Sequence, residues 1–413
     1  MNKNLYAKIT TICIFIILLP LAAYSIFNSI HGFLEDKDSR QGNGIFEKIE
    51  ADIDYLNTAF NSNVLEESKF IEVNGLFQRI SGKHYIADPA IDKSIVKDNH
   101  GLLHFTGFWS SPNNFVQEQL SFIEENVKNL DNYLENKDIP FLLIHAPGKF
   151  IEDYTSFPVL INNYANENSC LFLETMQKND IPIFDLTESI CYNEKLPKDN
   201  LFYTTDHHWT NPTAFYAYSE IVQNLNENWG FNIDPNNYYR NIDNYYIEKY
   251  PKSFVGSQGR RVGKYYSAID DYYFIYPKFA TKYSFSNNGK TVNGDFSSSL
   301  VFDKFLQDKD VYTNRYATYL GEDYPLATIV NQQQDQNKVL ILKDSFANPI
   351  SVYLSTCVKE ITLLDLRSFE GSVYDFIDDY QPDLVLILYS PSSLSKNMFD
   401  FKDILPTEKS DDQ

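Results

Sequence analysis

Residues 339–349, Val-Leu-Ile-Leu-Lys-Asp-Ser-Phe-Ala-Asn-Pro, decide how the second half of this chain is interpreted. Four aliphatic residues in a row indicate a buried strand, and a helix is predicted from about Pro349. Strands are predicted again at 360–364 and 383–389, with a helix at 374–379 between them. Alternation of this kind is typical of an α/β fold, in which a mostly parallel sheet carries helices on both faces.

The same alternation occurs earlier in the chain. Apolar residues recur at steps of four and three over 116–134, which predicts an amphipathic helix with one core-facing stripe. The apolar run 141–144 predicts a strand directly after it. A second helix is predicted at 168–178, followed by a short strand at 181–184 whose proline favours a strand start or a sheet edge.

A third helix is predicted after Thr210, with Asn211 as its N-cap and Pro212 at its first position. From about residue 227 to 336 the helical periodicity disappears and short aromatic runs predict strands, so we interpret this part as a β-rich insertion. Its tyrosines are expected to pack a sheet, and a stacking platform for sugar rings is the alternative. The whole α/β domain is predicted to span 98–400, followed by a polar tail at 401–413.

Residues 9–30 carry no charge and are rich in Ile, Leu and Phe. They are long enough to cross a bilayer, which needs about 20 mostly apolar residues. Lysines precede this segment and acidic residues follow it, so the positive-inside rule places 1–8 in the cytoplasm and the rest outside. We therefore predict a single-pass membrane anchor, a juxtamembrane or peripheral segment at 31–97 and an extracellular domain. A cleaved signal peptide is the alternative, although the apolar run is longer than a usual one.

The overall composition excludes one class of partner. The chain has 413 residues, with 56 acidic against 35 basic side chains and a formal charge of -21. A field of that sign repels phosphate backbones, so nucleic-acid binding is not expected. Among the four cysteines, an external location permits a bridge between Cys170 and Cys191, and buried free thiols are equally compatible.

Two stretches contain the groups needed for nucleophilic catalysis: Thr-Thr-Asp-His-His-Trp-Thr at 204–210 and Lys-Asp-Ser-Phe-Ala-Asn at 343–348. A serine hydroxyl is a poor nucleophile unless an imidazole takes its proton, and the imidazole needs a carboxylate on its other nitrogen. We therefore expect Ser345 as the nucleophile, His208 as the general base and Asp206 as the carboxylate.

The spacing selects His208 over its neighbour. In an extended segment residues i and i+2 project to the same side, so Asp206 reaches His208 while His207 points away. Ser345 follows a buried strand and precedes a helix, a position that presents a hydroxyl at the top of a sheet. The N–H of Phe346 is a candidate oxyanion donor there.

Metal binding is not expected. Residues 206–208 cannot all face one ion from an extended run, and the sequence contains no cluster that would supply further ligands. No other cofactor is expected. His100 and His104 are interpreted as structural, and His145 either lines the site or is a core polar group.

The motif Asp-His-His-Trp, together with the later Lys-Asp-Ser-Phe, resembles the DHHW family of SGNH-like proteins of Gram-positive bacteria. It is also similar to the alginate-acetylating enzymes of Gram-negative periplasms. Weaker matches are Pro-Gly-Lys at 147–149, Phe-Val-Gly-Ser at 254–257 and Leu-Asp-Leu-Arg at 364–367. Together these motifs cover most of the chain after residue 98.

The resemblance implies an SGNH-like three-layer sandwich and the triad Ser345, His208 and Asp206. It also implies supporting positions at His207, Trp209 and Asp344. Positions that bind the oxyanion or the substrate are implied at Phe346, Asn348, Gly256 and Lys149. In ordinary SGNH esterases the serine comes first in the chain, whereas here it comes last. Geometry, not chain order, defines such a triad.

The resemblance also implies a function. Relatives of this type act with a membrane-bound O-acyltransferase that supplies acetyl groups, and they modify a polysaccharide. The expected activity is an O-acetyltransferase that works through an acetyl-serine intermediate. The alternatives are a carbohydrate O-acetylesterase and a non-catalytic surface binding or scaffold protein.

Overall fold

The computed structural model describes residues 67–88, 94–106 and 113–402. The predicted anchor at 9–30, the segment before it and nearly all of the tail therefore lie outside the described residues. Within the described ranges, no helix combines the length and the hydropathy needed to cross a membrane.

The described helices are α1 Glu67–Ile80, α2 Asn113–Glu135, α3 Ala165–Lys178, α4 Thr187–Cys191, α5 Asn211–Trp229, α6 Ser257–Val262, α7 Phe296–Leu300, α8 Lys304–Gln307, α9 Ala347–Leu354 and α10 Val373–Tyr380. The described strands are β1 Tyr85–Ile86, β2 Ile95–Lys97, β3 Leu103–Phe105, β4 Phe141–His145, β5 Ile183–Asp185, β6 Tyr245–Phe254, β7 Asp270–Pro277, β8 Tyr283–Asn287, β9 Lys290–Gly294, β10 Leu326–Asn331, β11 Lys338–Lys343, β12 Glu360–Leu364 and β13 Leu384–Tyr389.

The chain divides into two compact units. The described part of the first consists of α1 and the segment Arg260–Tyr266. Within it Gly75 approaches Val262 so closely that a β-carbon would lie 1.9 Å from the Val262 carbonyl oxygen. The second unit contains the other described residues and every residue of the candidate site.

The second unit is built on an eight-stranded sheet with the order β5-β4-β13-β11-β12-β10-β8-β9. The five strands from β5 to β12 are parallel, and the next three pair antiparallel. Two smaller antiparallel sheets pair β1-β2-β3 and β6-β7. The parallel strands all end at one edge of the sheet, which is where sites form in open α/β folds.

The sheet lies between two layers of helices. Alternate residues of β4 face opposite sides: Leu142 and Ile144 pack with α5 and α9, whereas Phe141 and Leu143 pack with α2, α3 and α10. β4, β11 and β13 contribute apolar residues to both faces in this way, which explains their continuous hydrophobic runs. The predicted α/β class and the helices on both faces are confirmed.

The prediction of a mostly parallel sheet holds for the five strands from β5 to β12. The sheet as a whole is mixed, because β8, β9 and β10 from the predicted insertion extend it beyond β12 with antiparallel pairings. β8 and β10 alternate between buried and more exposed residues, as half-buried antiparallel strands do, and the edge strand β9 is largely exposed. Part of the region 227–336, which was predicted as a β-rich insertion, therefore completes the central sheet.

The N-cap of α5 also differs from the prediction. Thr210 is the cap, and its side-chain oxygen accepts a hydrogen bond from the Thr213 N–H. Asn211 lies inside the helix, and its side chain donates instead to the Tyr273 carbonyl oxygen at 2.8 Å. A threonine hydroxyl satisfies a free N–H at a helix start as an asparagine does.

Candidate active site

Ser345 lies just after β11, at the carboxyl edge of the sheet, and its side chain is partly exposed. The turn around it is fixed by Asp344, whose carboxylate accepts the Phe346 N–H at 2.9 Å. The other oxygen of Asp344 accepts the N–H and hydroxyl of Ser390 at 2.8 and 2.7 Å and the Ser393 hydroxyl at 2.7 Å. Asp344 therefore ties the serine turn to the end of β13.

A chain of hydrogen bonds leads from Ser345 to a buried carboxylate. Ser345 Oγ lies 2.6 Å from His208 Nε2, and His208 Nδ1 lies 2.5 Å from Asp206 Oδ1. Residues 137 positions apart in sequence are thus brought together in the order hydroxyl, imidazole, carboxylate. This order is the one that deprotonates a serine in acyl transfer.

Asp206 is held as an anion. Its Oδ2 accepts the Ser257 N–H at 2.7 Å, and its Oδ1 also accepts the His208 N–H at 3.1 Å. Burial alone raises the pKa of this carboxyl, but His208, His207 and these hydrogen bonds outweigh it and hold the pKa well below its usual range. The carboxylate can therefore fix the His208 tautomer and stabilise the imidazolium.

The local backbone is not extended as predicted. Residues 204–208 form a bend, closed by a bridge between Phe202 and Trp209. His207 consequently does not point away: its ring centre lies 3.7 Å from that of His208, and its Nδ1 lies 2.8 Å from Ser257 Oγ. Burial, together with His208, lowers the pKa of His207 to about 3, so the ring is neutral.

The bend also removes the argument used against a metal. Asp206, His207 and His208 each offer a ligand atom, and these atoms lie within 4.8 Å of one another. Both ring nitrogens of His208 are hydrogen-bonded, to Asp206 and to Ser345. A metal ion bound to His208 would displace one of these hydrogen bonds. We therefore still predict that no metal binds here, now because the ring nitrogens of His208 are in use and not because the segment is extended.

Aromatic rings enclose the His208 imidazole. Tyr316, in the short 3-10 helix Arg315–Thr318, stacks on it with ring centres 3.7 Å apart and planes 9° from parallel. The Phe346 ring centre lies 5.1 Å from His208 and 5.1 Å from Trp209, which is fully buried. Trp209 therefore packs against the Phe346 ring that borders His208.

Three predicted oxyanion donors are occupied elsewhere. The Phe346 N–H donates to Asp344, and the Gly256 N–H donates to Thr205 Oγ1 at 2.9 Å. Asn348 donates one of the two protons of its side-chain amide to Asp323 at 2.9 Å. Gly256 instead allows close approach, because a β-carbon there would lie 2.2 Å from Asp206 Cβ. In the described part of the chain, the N–H of Ser345 itself has no acceptor.

Asp323 links Asn348 to a cluster of charges behind the serine turn. It forms ion pairs with Lys343 and Arg367, and Arg367 also pairs with Asp365. Burial raises the pKa of Asp323, but Lys343 and Arg367 outweigh this and lower it strongly. Asn348 is therefore oriented by a fixed anion.

Lys149 does not face a substrate. It is buried and donates to main-chain oxygens of Leu103, Thr204 and Asp206 and to the Gln258 side chain, at 2.8 to 3.2 Å. The substrate role implied for it is therefore not supported, and its contacts place it behind the Asp206 bend.

The other histidines singled out in the sequence, and the described cysteines, lie outside this arrangement. His100 stacks on Tyr154, and His104 is buried against Asp98 at 2.8 Å, as expected for structural residues. His145 lies 3.2 Å from Asp185 and borders a cavity of about 230 Å³ that does not include Ser345. Cys170, Cys191 and Cys357 are free, so the bridge permitted by the sequence is not formed.

Several residues of the site were not found by sequence reasoning: Thr205, Ser257, Gln258, Asp270, Tyr316 and Asp323. Ser257 ends a motif that was quoted only for its glycine, and Thr205 adjoins Asp206, so both had a local signal. Asp270, Tyr316 and Asp323 lie among many similar residues in the region interpreted as an insertion, and only the fold selects them.

The fold and the site define a mixed-sheet α/β protein with a serine, histidine and aspartate in hydrogen-bond contact at the carboxyl edge of its sheet. Residues 161–363 match the DHHW protein family model, and the resemblance inferred from the sequence is confirmed. The comparison with curated protein sequences gave no match.

Solved structures share this fold. Bacillus cereus PatB1 with a sulfonyl adduct is 24% identical, with a TM-score of 0.61, covering 75% of this chain and 98% of that chain. A second structure of PatB1 is 25% identical, with a TM-score of 0.58 and coverage of 75% and 99%. A DHHW family protein from Eubacterium siraeum is 15% identical, with a TM-score of 0.54 and coverage of 76% and 96%.

Proposed function

We propose that this protein is a serine-dependent O-acetyltransferase that modifies a cell-surface or secreted polysaccharide. The observation that carries the proposal is the continuous contact from Ser345 Oγ through His208 to Asp206, at 2.6 and 2.5 Å. Hydrogen-bond reach between nucleophile and base, with the base oriented by a third group, is the signature of an activated serine.

The first half-reaction forms an acyl-enzyme. Ser345 Oγ attacks the carbonyl carbon of an acetyl ester while His208 Nε2 takes the hydroxyl proton, and Asp206 stabilises the imidazolium. The negative carbonyl oxygen needs hydrogen-bond donors, and the Ser345 N–H is a main-chain donor on this turn that has no acceptor among the described residues. The donor's C–O bond then breaks, and His208 returns the proton to the leaving oxygen.

The second half-reaction transfers the acetyl group. A sugar hydroxyl gives its proton to His208 and attacks the acetyl-serine carbonyl, and Ser345 Oγ leaves with the proton that His208 returns. When water takes the place of the sugar, the same steps amount to an O-acetylesterase. That esterase is the second candidate, because the partly exposed Ser345 is open to either acceptor.

One of the similar structures supports a reactive nucleophile in this fold. PatB1 is described with a sulfonyl adduct, and such an adduct is the product that an activated nucleophile gives with a sulfonylating reagent. We infer that Ser345 is the corresponding group in this chain.

The cellular setting is proposed from the sequence. Residues 9–30 would anchor the protein with its catalytic domain outside the cell. A membrane-bound O-acyltransferase would supply the acetyl groups, and the acceptor would be a polysaccharide.

Ester turnover by the full chain, with a small chromogenic acetate, tests the proposal. Ser345→Ala should lower kcat/KM by about a thousandfold or more, because it removes the nucleophile that forms the acyl intermediate. Ser286→Ala is a matched control, since Ser286 lies on β8 and contacts Thr291 on β9. Activity that survives Ser345→Ala would overturn the assignment.

Adding an oligosaccharide acceptor separates the two activities. A transferase should yield an acetylated oligosaccharide faster than free acetate, whereas an esterase should release acetate regardless of the acceptor. A chain that reacts with neither ester nor sulfonyl fluoride at Ser345 would point to the non-catalytic binding or scaffold protein.

A further inference from the structure

The buried Lys149 side chain donates hydrogen bonds to the bend that carries Asp206. Its ammonium lies 2.8 Å from the Asp206 carbonyl oxygen, 3.2 Å from that of Thr204 and 2.8 Å from that of Leu103. Gln258 Oε1 is a fourth acceptor at 3.0 Å. An ammonium group has three protons, so its full donor capacity is used within the protein.

Asp270 contacts the same bend, but it accepts hydrogen bonds from N–H and hydroxyl groups, whereas Lys149 donates to carbonyl oxygens. One of its oxygens accepts the Thr204 N–H at 2.8 Å, and the other accepts the Thr205 N–H and hydroxyl at 2.8 and 2.5 Å. Thr205 Oγ1 in turn accepts the Gly256 N–H. The carbonyl and N–H groups preceding His208 are thus fixed from two sides by buried charges.

We propose that charged Lys149 is a positioning residue for Asp206 and His208, and that loss of its proton switches the site off at alkaline pH. This inference rests on the proposed function. A neutral amine keeps only two protons and no charge, so part of the bend loses its donors. A displacement of about 1 Å in a catalytic group costs about 100-fold in rate.

The charges around Lys149 set the pH of this change. Burial lowers the pKa of Lys149 to about 8, while the carboxylates of Asp270, Asp206 and Asp98 oppose it. His104 and His207 also face it, and Lys149 disfavours their charged forms. Lys149 is therefore charged at neutral pH and loses its proton just above it.

Alkaline unfolding can be distinguished from this effect. The pKa of lysine is ordinarily near 10.5. Between about pH 8 and 10.5 Lys149 is therefore protonated in the unfolded chain and deprotonated in the folded protein. Stability rises with pH wherever the unfolded state binds more protons. Deprotonation of Lys149 therefore does not destabilise the fold. As the pH rises, the catalytic activity should fall, whereas the contribution of Lys149 to the free energy of unfolding should not.

The test is the pH dependence of kcat for the chromogenic acetate, from pH 6 to 10, with the full chain. Wild-type kcat should fall above about pH 8 at nearly constant KM, and Lys149→Met should lose about 100-fold at pH 7. Lys149→Arg should remove the alkaline fall, because a guanidinium stays charged. Asp270→Asn should move the fall to lower pH.

Lys338→Met is a matched control. Lys338 also donates to a main-chain oxygen, that of Tyr380 at 2.5 Å, but from the opposite end of β11. Its pH profile should match that of the wild type. Thermal unfolding followed by circular dichroism, at each pH, shows which variants are folded.

An alkaline fall that persists in folded Lys149→Arg, or wild-type kcat in Lys149→Met, would overturn the inference. If Lys149→Met does not fold, the arginine variant still decides. The rate of sulfonylation of Ser345, measured by intact-protein mass spectrometry, should follow the same pH profile. Failure of the proposed function would show separately, as activity that survives Ser345→Ala.

Discussion

At the residue scale, Gly256 shows how little space surrounds Asp206. A β-carbon at this position would lie 2.2 Å from Asp206 Cβ and 2.3 Å from Oδ2. Contacts this short do not occur between real side chains, so Asp206 or its neighbours must move. Glycine is required here because the backbone approaches the carboxylate directly.

Gly256→Ala should therefore lower kcat about 100-fold, since it displaces the carboxylate that orients His208. Gly294→Ala provides a comparison with the same closest distance, because its β-carbon would lie 2.2 Å from Ser298 Oγ, on the far edge strand of the sheet. That variant should keep wild-type kcat even if its melting temperature falls. Equal activity losses in the two variants would show that the Gly256 effect is merely destabilisation.

The sequence predicted the relay residues but not their surroundings. Ser345, His208 and Asp206 were selected by chemistry, spacing and motif, and the structure brings them together. The reason given for excluding His207 was incorrect, because the segment bends and does not extend. Whether a seven-residue polar stretch bends depends on distant partners such as Asp270 and Lys149, which spacing alone cannot identify.

At the element scale, α5 determines where the bend ends. Its cap, Thr210, accepts the Thr213 N–H and also donates its hydroxyl to the Asn200 carbonyl oxygen at 2.8 Å. The helix therefore begins at Asn211, three residues after His208 at the end of the bend.

Thr210→Ala should lower the free energy of unfolding by about 1 kcal/mol, because an orphan N–H at the helix start loses its acceptor. Thr210→Ser should retain most of that stability, since it keeps the hydroxyl. Denaturant titration measures the free energy of unfolding of both variants, with the same dependence on denaturant concentration assumed for each. A serine variant as unstable as the alanine variant would show that the threonine methyl group, and not the cap, matters.

Helices and parallel strands were predicted well because their signals are local. The helical period over 116–134 and the aliphatic runs of β4 and β11 require no knowledge of their neighbours. The pairing of β10 with β12 is different, because it joins residues 326–330 to 360–364 in an antiparallel register that composition does not reveal. This is why an extension of the main sheet was interpreted as an insertion.

At the scale of the whole molecule, buried ionisable groups should make the fold sensitive to acid. His104 and His207 are held neutral by burial, with the pKa of His104 lowered and that of His207 lowered to about 3. The unfolded chain binds their protons below about pH 6.5, so stability is lost as pH falls from there. Water screens part of this effect at His207, whose side chain is 34% exposed.

Aspartates extend the loss to lower pH. Asp98, Asp185, Asp206 and Asp323 all have lowered pKa values. Each contributes stability that is present above about pH 4 and lost as pH falls through the folded-state pKa. Asp270, whose pKa is raised by burial, acts in the opposite direction.

The melting temperature should therefore decline between pH 7 and 5, before the carboxylates are protonated, and decline further below pH 4. His104→Gln should weaken the first decline because it removes a buried titrating ring. His100→Gln, at an exposed histidine, should leave it unchanged. A melting temperature that is constant from pH 7 to 5 would contradict the linkage.

The place of β13 in the sheet has a consequence for biosynthesis. β13 is the last strand in the described chain, yet it lies between β4 and β11. A nascent chain that lacks residues 384–389 has no strand to join these two, and both present unpaired edges to other chains. The sheet can close, and Ser345 can take its place, only after residues 384–389 have emerged from the ribosome. Until then the growing chain depends on its surroundings for protection against aggregation.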